Sequence, residues 1–423
     1  GKESVRLRGG RGKEERMRQI EGGVTAAKGF EAAGVEAAVK YRERKDMALV
    51  YSRVPCRAAG TFTANVVKAA PVLWDKRLVE ESPFVQAVVV NSGIANACTG
   101  KQGMDCCKAE AECAGRLLGI PAMAVLVAST GVIGMQLPLD RIQAGIEKLA
   151  AAKSDTAEAG LNAAKAIMTT DTVPKQIAVQ TTIGGKTVTL GGMCKGSGMI
   201  HPNMCTMLGF LTTDVNISRE LLGKALREDV VDSFNMISVD GDTSTNDTLL
   251  ILANGLAENE EITAEGAEYE AFCRALHFVT TWLAKKMAGD GEGATALFET
   301  KVVGAASKED ARILAKSVIC SSLTKAAIFG HDANWGRILC ALGYSGARFD
   351  PENVDLYFEG KSGKIHIFSK GVACDYSEEE ATEILSDPEV TVLADMHMGD
   401  AEATAWGCDL SYDYVKINAD YRS

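Results

Sequence analysis

The chain alternates between two patterns of hydrophobic and polar positions. Short continuous apolar runs predict buried strands, whereas apolar residues three and four positions apart predict amphipathic helices. The segments 84–90 and 124–128 are continuous apolar runs that end in loops rich in Gly, Ser and Asn. The segments 139–152 and 156–168 have helical spacing and contain many Ala, Lys and Glu residues, which favour helices.

The same patterns predict elements along the rest of the chain, and together they indicate a mixed α/β protein. A Gly-Gly pair at 184–185 predicts a hairpin between 176–182 and 186–190. Asn216 is expected to cap a helix over 217–233. The other predicted helices are 263–287, 308–320, a segment starting near Trp335, and 378–385. The other predicted strands are 248–253, 296–303, 325–329, 355–358, 364–368, 389–394 and 411–417.

Composition places the chain among soluble globular proteins. Of its 423 residues 46% are hydrophobic and 24% charged, and the net charge is −11. An acidic chain is a poor partner for nucleic acid or anionic membranes, although a few local cations could still hold a small anionic substrate. Because no run of about 20 apolar residues occurs, no membrane span is expected.

The N-terminal segment and the cysteines indicate the cellular compartment of the protein. Residues 1–20 form a basic segment without the apolar core of a signal peptide, so we expect a solvated tail. The twelve cysteines show no disulfide framework and no C-x-x-C pair, and the five histidines are dispersed. We therefore expect reduced, mostly buried thiols, a cytoplasmic protein and no metal site.

The amino-acid composition changes most abruptly in the stretch 191–214. A Gly-rich turn with one lysine, KGSGM, precedes HPN and an apolar run that contains Thr206. A threonine in an apolar run is usually a half-buried strand residue. Here, however, the small Cys205 precedes Thr206, a loop with Pro202 lies upstream, and a buried strand follows.

That arrangement suits self-cleavage. The Thr206 hydroxyl would attack the Cys205 carbonyl, and hydrolysis of the resulting ester would leave Thr206 as a new N-terminus. A threonine hydroxyl is a poor nucleophile alone, but an adjacent α-amine with a pKa of about 8 can accept its proton.

The sequence around this site resembles the ornithine acetyltransferase family, also called glutamate N-acetyltransferase, of arginine biosynthesis. The resemblance begins with KGSGMIHPNMCTML at 195–208, although Cys205 and His201 stand where the family usually has Ala. It extends in order over nearly everything after residue 20, through GGVTAAKGF, AGTFTANVVKAAPV, VVVNSGIANACTG, ASTGVIG, AIMTTDT, SVDGDTSTND, GDGEGAT, GHDANWGRIL and YVKINADYRS.

The resemblance implies roles for particular residues. Thr206 would be the nucleophile in both cleavage and catalysis, with Thr130 and Gly131 as the oxyanion hole. The substrate-binding residues would be Thr169, Lys195, Thr206, Glu292, Asn418 and Ser423. Lys195 can pair with a carboxylate and Glu292 with an ammonium group. Thr170 and Thr172 lie close enough in sequence to Thr169 to compete for its role.

The resemblance also implies the fold and the reaction. The fold would be a mixed-sheet α/β sandwich in two lobes, cleaved into fragments 21–205 and 206–423 that assemble as a heterotetramer. The reaction would move the acetyl group of N2-acetylornithine to glutamate without a metal or organic cofactor. Whether acetyl-CoA is a second acetyl donor stays open.

Two other functions stay open at this stage. One is a self-processing aminopeptidase or amidohydrolase, in which water accepts the acyl group. The other is a non-catalytic regulatory or scaffold protein with the same fold. Calcium binding is excluded for 240–251, because the sixth position of this loop is not Gly and the twelfth is Ile251 rather than Glu.

Overall fold

The computed structural model describes residues 17–201 and 207–421. Its strands are β1 (Arg18–Ile20), β2 (Phe30–Val35), β3 (Met47–Phe62), β4 (Val85–Ile94), β5 (Val125–Val132), β6 (Lys175–Ile183), β7 (Lys186–Lys195), β8 (Leu208–Thr213), β9 (Thr248–Ala253), β10 (Leu297–Ala305), β11 (Asp355–Gly360), β12 (Gly363–Ser369), β13 (Val372–Ala373), β14 (Glu389–Asp395) and β15 (Ala401–Cys408). Its helices are α1 (Ala70–Glu81), α2 (Gly100–Leu118), α3 (Leu139–Ala152), α4 (Ala157–Ala166), α5 (Arg219–Asp232), α6 (Ala267–Gly289), α7 (Lys308–Cys320), α8 (Ser322–Phe329), α9 (Trp335–Gly343), α10 (Glu378–Leu385) and α11 (Tyr412–Asp420).

The larger sheet has nine strands in the described part of the chain. Their order is β1-β6-β7-β8-β9-β3-β4-β5, and β2 pairs with β3 off this path. The sheet is mixed, because β4 and β5 are parallel, as are β8 and β9, whereas the other neighbours are antiparallel. The register of β3 against β4 shifts between Tyr51 and Cys56. One end of β3 therefore pairs with β4 and the other end with β9.

The smaller sheet is built from β10 to β15, in the order β13-β12-β11-β14-β10-β15. It is also mixed, since β10 runs parallel to β14 and antiparallel to β15. Helix α6 packs against β6 and β7 of the larger sheet and against β15 of the smaller one, so it joins the two sheets.

Apolar side chains cover both faces of the larger sheet near its centre. On β9, Leu250 and Leu252 belong to one core, which includes residues of α1 to α4. Leu249 and Ile251 belong to a second core, which includes residues of α5, α6 and the smaller sheet. Successive side chains of a strand point to opposite faces, so a run without polar residues is what a strand buried on both faces requires.

Most of the predicted elements are confirmed. The helices predicted at 139–152, 308–320 and 378–385 and the strand at 248–253 have the bounds of α3, α7, α10 and β9. The predicted hairpin is β6–β7, whose pairing closes at Ile183 and Lys186 around the two glycines. The mixed α/β class is likewise confirmed, with two mixed sheets.

The strand predicted over 325–329 is wrong, because these residues belong to helix α8. The side chain of Ser321 accepts a hydrogen bond from the Thr324 amide and caps this helix. Lys325 is only 4% exposed, and its ammonium group donates to the Cys408 carbonyl. The apolar run is therefore one buried turn of helix packed against β15 and not a strand.

The strand predicted over 411–417 is also wrong, because these residues belong to helix α11. Tyr and Val favour strands in general, which produced the prediction. The helical spacing instead places Tyr414 and Asn418, four residues apart, on one face. Tyr414 and Asn418 on this face donate to carboxylates of other segments.

The N-cap predicted for α5 is displaced by two residues. Ser218, rather than Asn216, caps the helix by accepting from the Leu221 amide at 3.3 Å. Asn216 pairs with Asn259, which accepts from the Asn216 amide at 2.8 Å and donates to its carbonyl at 3.0 Å.

Candidate active site

A cavity of about 160 Å³ opens where β5 and β7 end and β8 begins. Its walls come from seven separate stretches of the chain and from the C-terminal segment around α11. The lining residues are Ala95, Thr130, Gly131, Ile133, Thr169, Thr170, Lys195, Gly196, Gly198, Met199, Ile200, Met207, Leu208, Ser244, Thr245, Asn246, Asp247, Glu292, Asn418 and Tyr421.

Lys195, the last residue of β7, provides the positive charge of the cavity. Its Nζ donates to Thr130 Oγ1 at 3.1 Å and to Thr169 Oγ1 at 3.0 Å, and the side chain is 7% exposed. Burial lowers the pKa of Lys195, although the Asp171 carboxylate opposes this shift. The ammonium group is therefore held by two neutral hydroxyls and retains a donor for a ligand.

Glu292 provides a negative charge in the same cavity. Its two carboxylate oxygens accept from Thr170 Oγ1 at 2.8 Å and from Asn418 Nδ2 at 2.7 Å. Gly198 packs directly against this group, because a Cβ at Gly198 would lie 2.4 Å from the Glu292 carboxyl carbon. Glu292 is 8% exposed, so it is not a solvated surface carboxylate.

Thr130 and Gly131 lie near the end of β5, where its register against β4 becomes irregular. Gly131 has a φ of +133°, and a Cβ there would lie 2.2 Å from the Gly93 carbonyl carbon. Only glycine fits this position, because the backbone of β4 approaches too closely and the conformation disfavours a side chain. The close approach leaves the backbone of Gly131 bare at the cavity wall.

A buried charge cluster, which sequence reasoning missed, supports the cavity from behind. Lys175 Nζ donates to Asp171 and to Asp290, both at 2.6 Å, and the lysine is 1% exposed. Burial alone would raise the pKa of Asp171, but the ammonium groups of Lys195 and Lys175 outweigh it and leave the pKa lowered. Asp171 is thus ionised and can accept several hydrogen bonds.

This Asp171–Lys175–Asp290 cluster fixes the three segments that carry the cavity residues. Asp171 accepts from the Gly196 amide at 2.9 Å and from the Thr169 amide at 3.2 Å. Asp290 accepts from the Thr172 amide at 3.0 Å and lies two residues before Glu292. The cluster therefore sets the spacing of Thr169, Lys195 and Glu292.

The wall at 244–247 comes from the motif SVDGDTSTND and was not assigned to the site from the sequence. Asn246 Nδ2 donates to the Ala95 carbonyl at 2.6 Å and to the Ser129 carbonyl at 2.8 Å. These bonds join the motif to the ends of β4 and β5. Burial lowers the pKa of Lys195, and the negative charge of Asp247, like those of Asp171 and Glu292, opposes that shift.

The structure brings together most of the predicted site residues. Thr130, Gly131, Thr169, Lys195, Glu292 and Asn418 all line the one cavity. The three neighbouring threonines differ in their contacts, since Thr169 contacts Lys195, Thr170 contacts Glu292 and Thr172 contacts Asp290. Cys205, Thr206 and Ser423 lie outside the described residues.

The described part of the chain lacks two other features, a metal-binding cluster and a membrane-spanning helix. No group of three or more His, Cys, Asp or Glu side chains arranged to hold a metal ion occurs within 17–201 and 207–421. Over the same ranges, no helix has both the length and the apolar character needed to cross a membrane.

Comparison with known proteins gives consistent matches over nearly the whole chain. Residues 31–423 match the model of the ArgJ family. The arginine biosynthesis bifunctional protein ArgJ of Symbiobacterium thermophilum is 56% identical over 409 residues, which cover 96% of this chain and 100% of that protein. The corresponding ArgJ 1 of Clostridium acetobutylicum is 53% identical over 396 residues, which cover 93% of this chain and 96% of that protein.

A solved structure aligns with part of this chain. The crystal structure of ornithine acetyltransferase complexed with ornithine from Mycobacterium tuberculosis is 42% identical, with a TM-score of 0.42 over 45% of this chain and 100% of that chain. The matches to the family model over residues 31–423 and to a family member over 96% of the chain show that this chain belongs to the ArgJ family.

Proposed function

We propose that this ArgJ enzyme transfers the acetyl group of N2-acetylornithine to glutamate and so acts in arginine biosynthesis. The observation that carries the proposal is the pair of opposite charges, Lys195 and Glu292, in one buried cavity. An amino-acid substrate has a carboxylate for Lys195 and an ammonium group for Glu292, and both pairs gain strength away from water. Thr169 and Asn418 would add neutral hydrogen bonds.

Thr206 is the proposed nucleophile. It directly precedes Met207, which lines the cavity, and successive Cα atoms are about 3.8 Å apart. In self-cleavage, its hydroxyl oxygen attacks the Cys205 carbonyl carbon, the peptide bond breaks, and an ester forms. Water then hydrolyses the ester to give a carboxylate on Cys205 and a free amine on Thr206.

Acetyl transfer uses the same hydroxyl after cleavage. The Thr206 oxygen attacks the acetyl carbonyl, its proton passes through the Thr206 amine to the leaving ornithine nitrogen, and an acetyl ester remains. The amine of glutamate then attacks this ester to give N-acetylglutamate and restores the hydroxyl. Donors at Thr130 and Gly131 would stabilise the oxyanion formed in each step, and one such donor typically contributes about 3–4 kcal/mol.

The division of the chain is part of the proposal. Residues 1–20 would be a tail, and 21–205 and 206–423 would be two fragments that stay associated and assemble as a heterotetramer. The enzyme would act in the cytoplasm, because a reducing compartment is consistent with buried free thiols such as those of Cys107 and Cys194.

Mass spectrometry and kinetics test the proposal together. We expect fragments that separate between Cys205 and Thr206, an N-terminal sequence of Thr-Met-Leu-Gly, and parallel double-reciprocal lines with an acetyl adduct on the second fragment. Thr206→Ala should stay full length and inactive, whereas Thr206→Ser should keep part of both activities. An assay with and without acetyl-CoA decides whether acetyl-CoA is also a donor.

Other outcomes would contradict the proposal in distinct ways. Acetyl release that does not depend on glutamate would indicate a hydrolase. An intact chain without an acetyl adduct would indicate a non-catalytic protein.

A further inference from the structure

The loop that begins at Asp240 holds the backbone immediately before the proposed cleavage segment. The Asp240 carboxylate accepts from the Met199 amide at 2.7 Å and from the Ile200 amide at 2.9 Å. It also accepts from the hydroxyl of Tyr414 at 3.0 Å. Burial and the Asp240 charge raise the pKa of Tyr414, so this phenol stays protonated and keeps donating.

Neighbours of Asp240 form hydrogen bonds with the same backbone segment. The Val239 amide donates to the Ile200 carbonyl at 2.7 Å, and Ser238 Oγ lies 3.2 Å from that carbonyl. Thr243 Oγ1 donates to the carbonyl of His201 at 2.8 Å. The segment 238–243 thus bonds the Met199 amide, the amide and carbonyl of Ile200, and the His201 carbonyl.

Met199 needs this support because its backbone is in the left-handed region, with a φ of +54°. Residues other than glycine rarely adopt this conformation, and surrounding contacts must hold it. The hydrogen bond from its amide to Asp240 is charge-assisted, and such bonds are roughly twice as strong as neutral ones. Asp240 therefore fixes the direction in which the chain leaves residue 199.

The downstream side of the cleavage segment is anchored to the same part of the chain. The Thr248 amide donates to the Met207 carbonyl at 2.8 Å, and Leu208 pairs with Thr248 in the parallel ladder of β8 and β9. Residues 238–248 thus hold residue 201 at one end and residue 207 at the other. The segment 238–248 therefore fixes the separation between residue 201 and residue 207.

We propose that Asp240 is a positioning residue for the cleavage between Cys205 and Thr206. This inference rests on the self-cleavage proposed above. Attack of a hydroxyl on a carbonyl requires the two reacting atoms to be held about 3–3.5 Å apart. Asp240 takes no proton and forms no bond in this reaction, because it acts through the Met199 and Ile200 amides.

A pulse-chase measurement on the full chain in cell-free translation tests this role. Asp240→Asn keeps the shape of the side chain but replaces an acceptor oxygen by a group that cannot accept from Met199 or Ile200. We expect cleavage at least about tenfold slower than in the unmodified chain, because small misplacements of reacting groups have large effects on rate. Asp242→Asn is the matched control, since Asp242 is exposed in the same loop, and it should cleave at the unmodified rate.

Conservative replacement and stability separate positioning from folding. Asp240→Glu keeps both acceptor oxygens and should cleave faster than Asp240→Asn. In a Thr206→Ala background, which cannot cleave, the Asp240→Asn precursor should keep a cooperative unfolding transition. If that precursor fails to fold, Thr243→Val and Ser238→Ala decide the matter, because each removes a single contact with the 200–201 backbone and should also slow cleavage.

The results distinguish this inference from the proposed function. Cleavage of Asp240→Asn at the unmodified rate overturns the role of Asp240 and leaves the proposed function standing. If Asp240→Asn does not fold, cleavage of both Thr243→Val and Ser238→Ala at the unmodified rate has the same meaning. An unmodified chain that never cleaves at Cys205–Thr206 overturns the proposed self-cleavage itself.

Discussion

At the residue scale, Glu292 and Lys195 are held by neutral partners rather than by each other. Thr170 and Asn418 donate to Glu292, and Lys195 donates to Thr130 and Thr169. A buried ion pair would satisfy both charges internally and leave nothing for a ligand. Hydroxyl and amide partners hold the charges in place and keep them available for the two charged groups of the proposed amino-acid substrate.

Glu292→Gln tests the charge without changing the shape of the side chain. Hydrogen bonds to charged groups contribute about 1.5–3 kcal/mol, so kcat/KM for N2-acetylornithine should fall about tenfold to hundredfold, mainly through KM. Steady-state kinetics measures this, with Glu379→Gln on the exposed face of α10 as the control. An unchanged KM would remove Glu292 from the substrate site.

At the element scale, the loop between α4 and β6 depends on the buried Asp171–Lys175–Asp290 cluster. The folded state lowers the pKa of Asp171 below that of the unfolded chain, so its contribution to stability is present above about pH 4 and is lost as the pH falls through the folded value. The folded state raises the pKa of Lys175, so its contribution is present below about pH 10 and is lost as the pH rises further.

Lys175→Met should therefore destabilise the protein in a pH-dependent way. Removing one partner of a buried ion pair costs about 3–5 kcal/mol, because the remaining charge is buried without compensation. Without Lys175, the pKa of Asp171 should rise, so the loss should be larger at pH 8 than at pH 5. Thermal unfolding across this range measures it, and Lys186→Met, at an exposed lysine of β7, should show no such pH dependence.

Sequence patterns predicted elements whose local signal agrees with their final environment. β9 is an apolar run that is buried on both faces, and α7 has Ser307 as a cap and a periodic apolar face. The patterns failed for α8 and α11, two short helices whose side chains also contact distant partners, Cys408 for Lys325 and Asp240 for Tyr414.

The site residues also fall into those that the sequence could predict and those that it could not. Lys195 and Glu292 stand in glycine-rich motifs that resemble a known family, so their sequence positions could be assigned. Lys175 sits in an ordinary strand segment, and nothing in its local sequence indicates that it bridges Asp171 and Asp290, which lies 115 residues away. Pairings over such separations are a property of the fold and leave no periodic trace in one sequence.

At the scale of the whole molecule, the proposed fragments share one sheet. β8 and β9, from the second fragment, lie between β7 and β3, from the first. Each side of this pair is joined by a ladder of six paired residues, from Lys195–Leu208 to Leu190–Thr213 and from Arg57–Ala253 to Phe62–Thr248. Cleavage would thus cut the covalent link and leave the sheet intact.

The cleaved protein should consequently unfold as one unit. We expect a single cooperative transition, with both fragments eluting together in native size-exclusion chromatography. Because unfolding of the cleaved form also releases two chains, its midpoint should rise with protein concentration more steeply than that of the Thr206→Ala precursor. Fragments that separate before unfolding would contradict this expectation.

The central position of β8 and β9 also has a consequence for timing during synthesis. The cavity takes Thr130 from β5, Lys195 from β7 and Asn246 from the segment before β9, so its walls meet only after β9 has joined β3. The chain must therefore be synthesised as far as residue 253 before the larger sheet can form. Helix α11 is synthesised after all the other elements that line the cavity. Cleavage before residue 206 would then occur once in each molecule, after the larger sheet had assembled. A cleaved chain would therefore be one that had already completed this part of its fold.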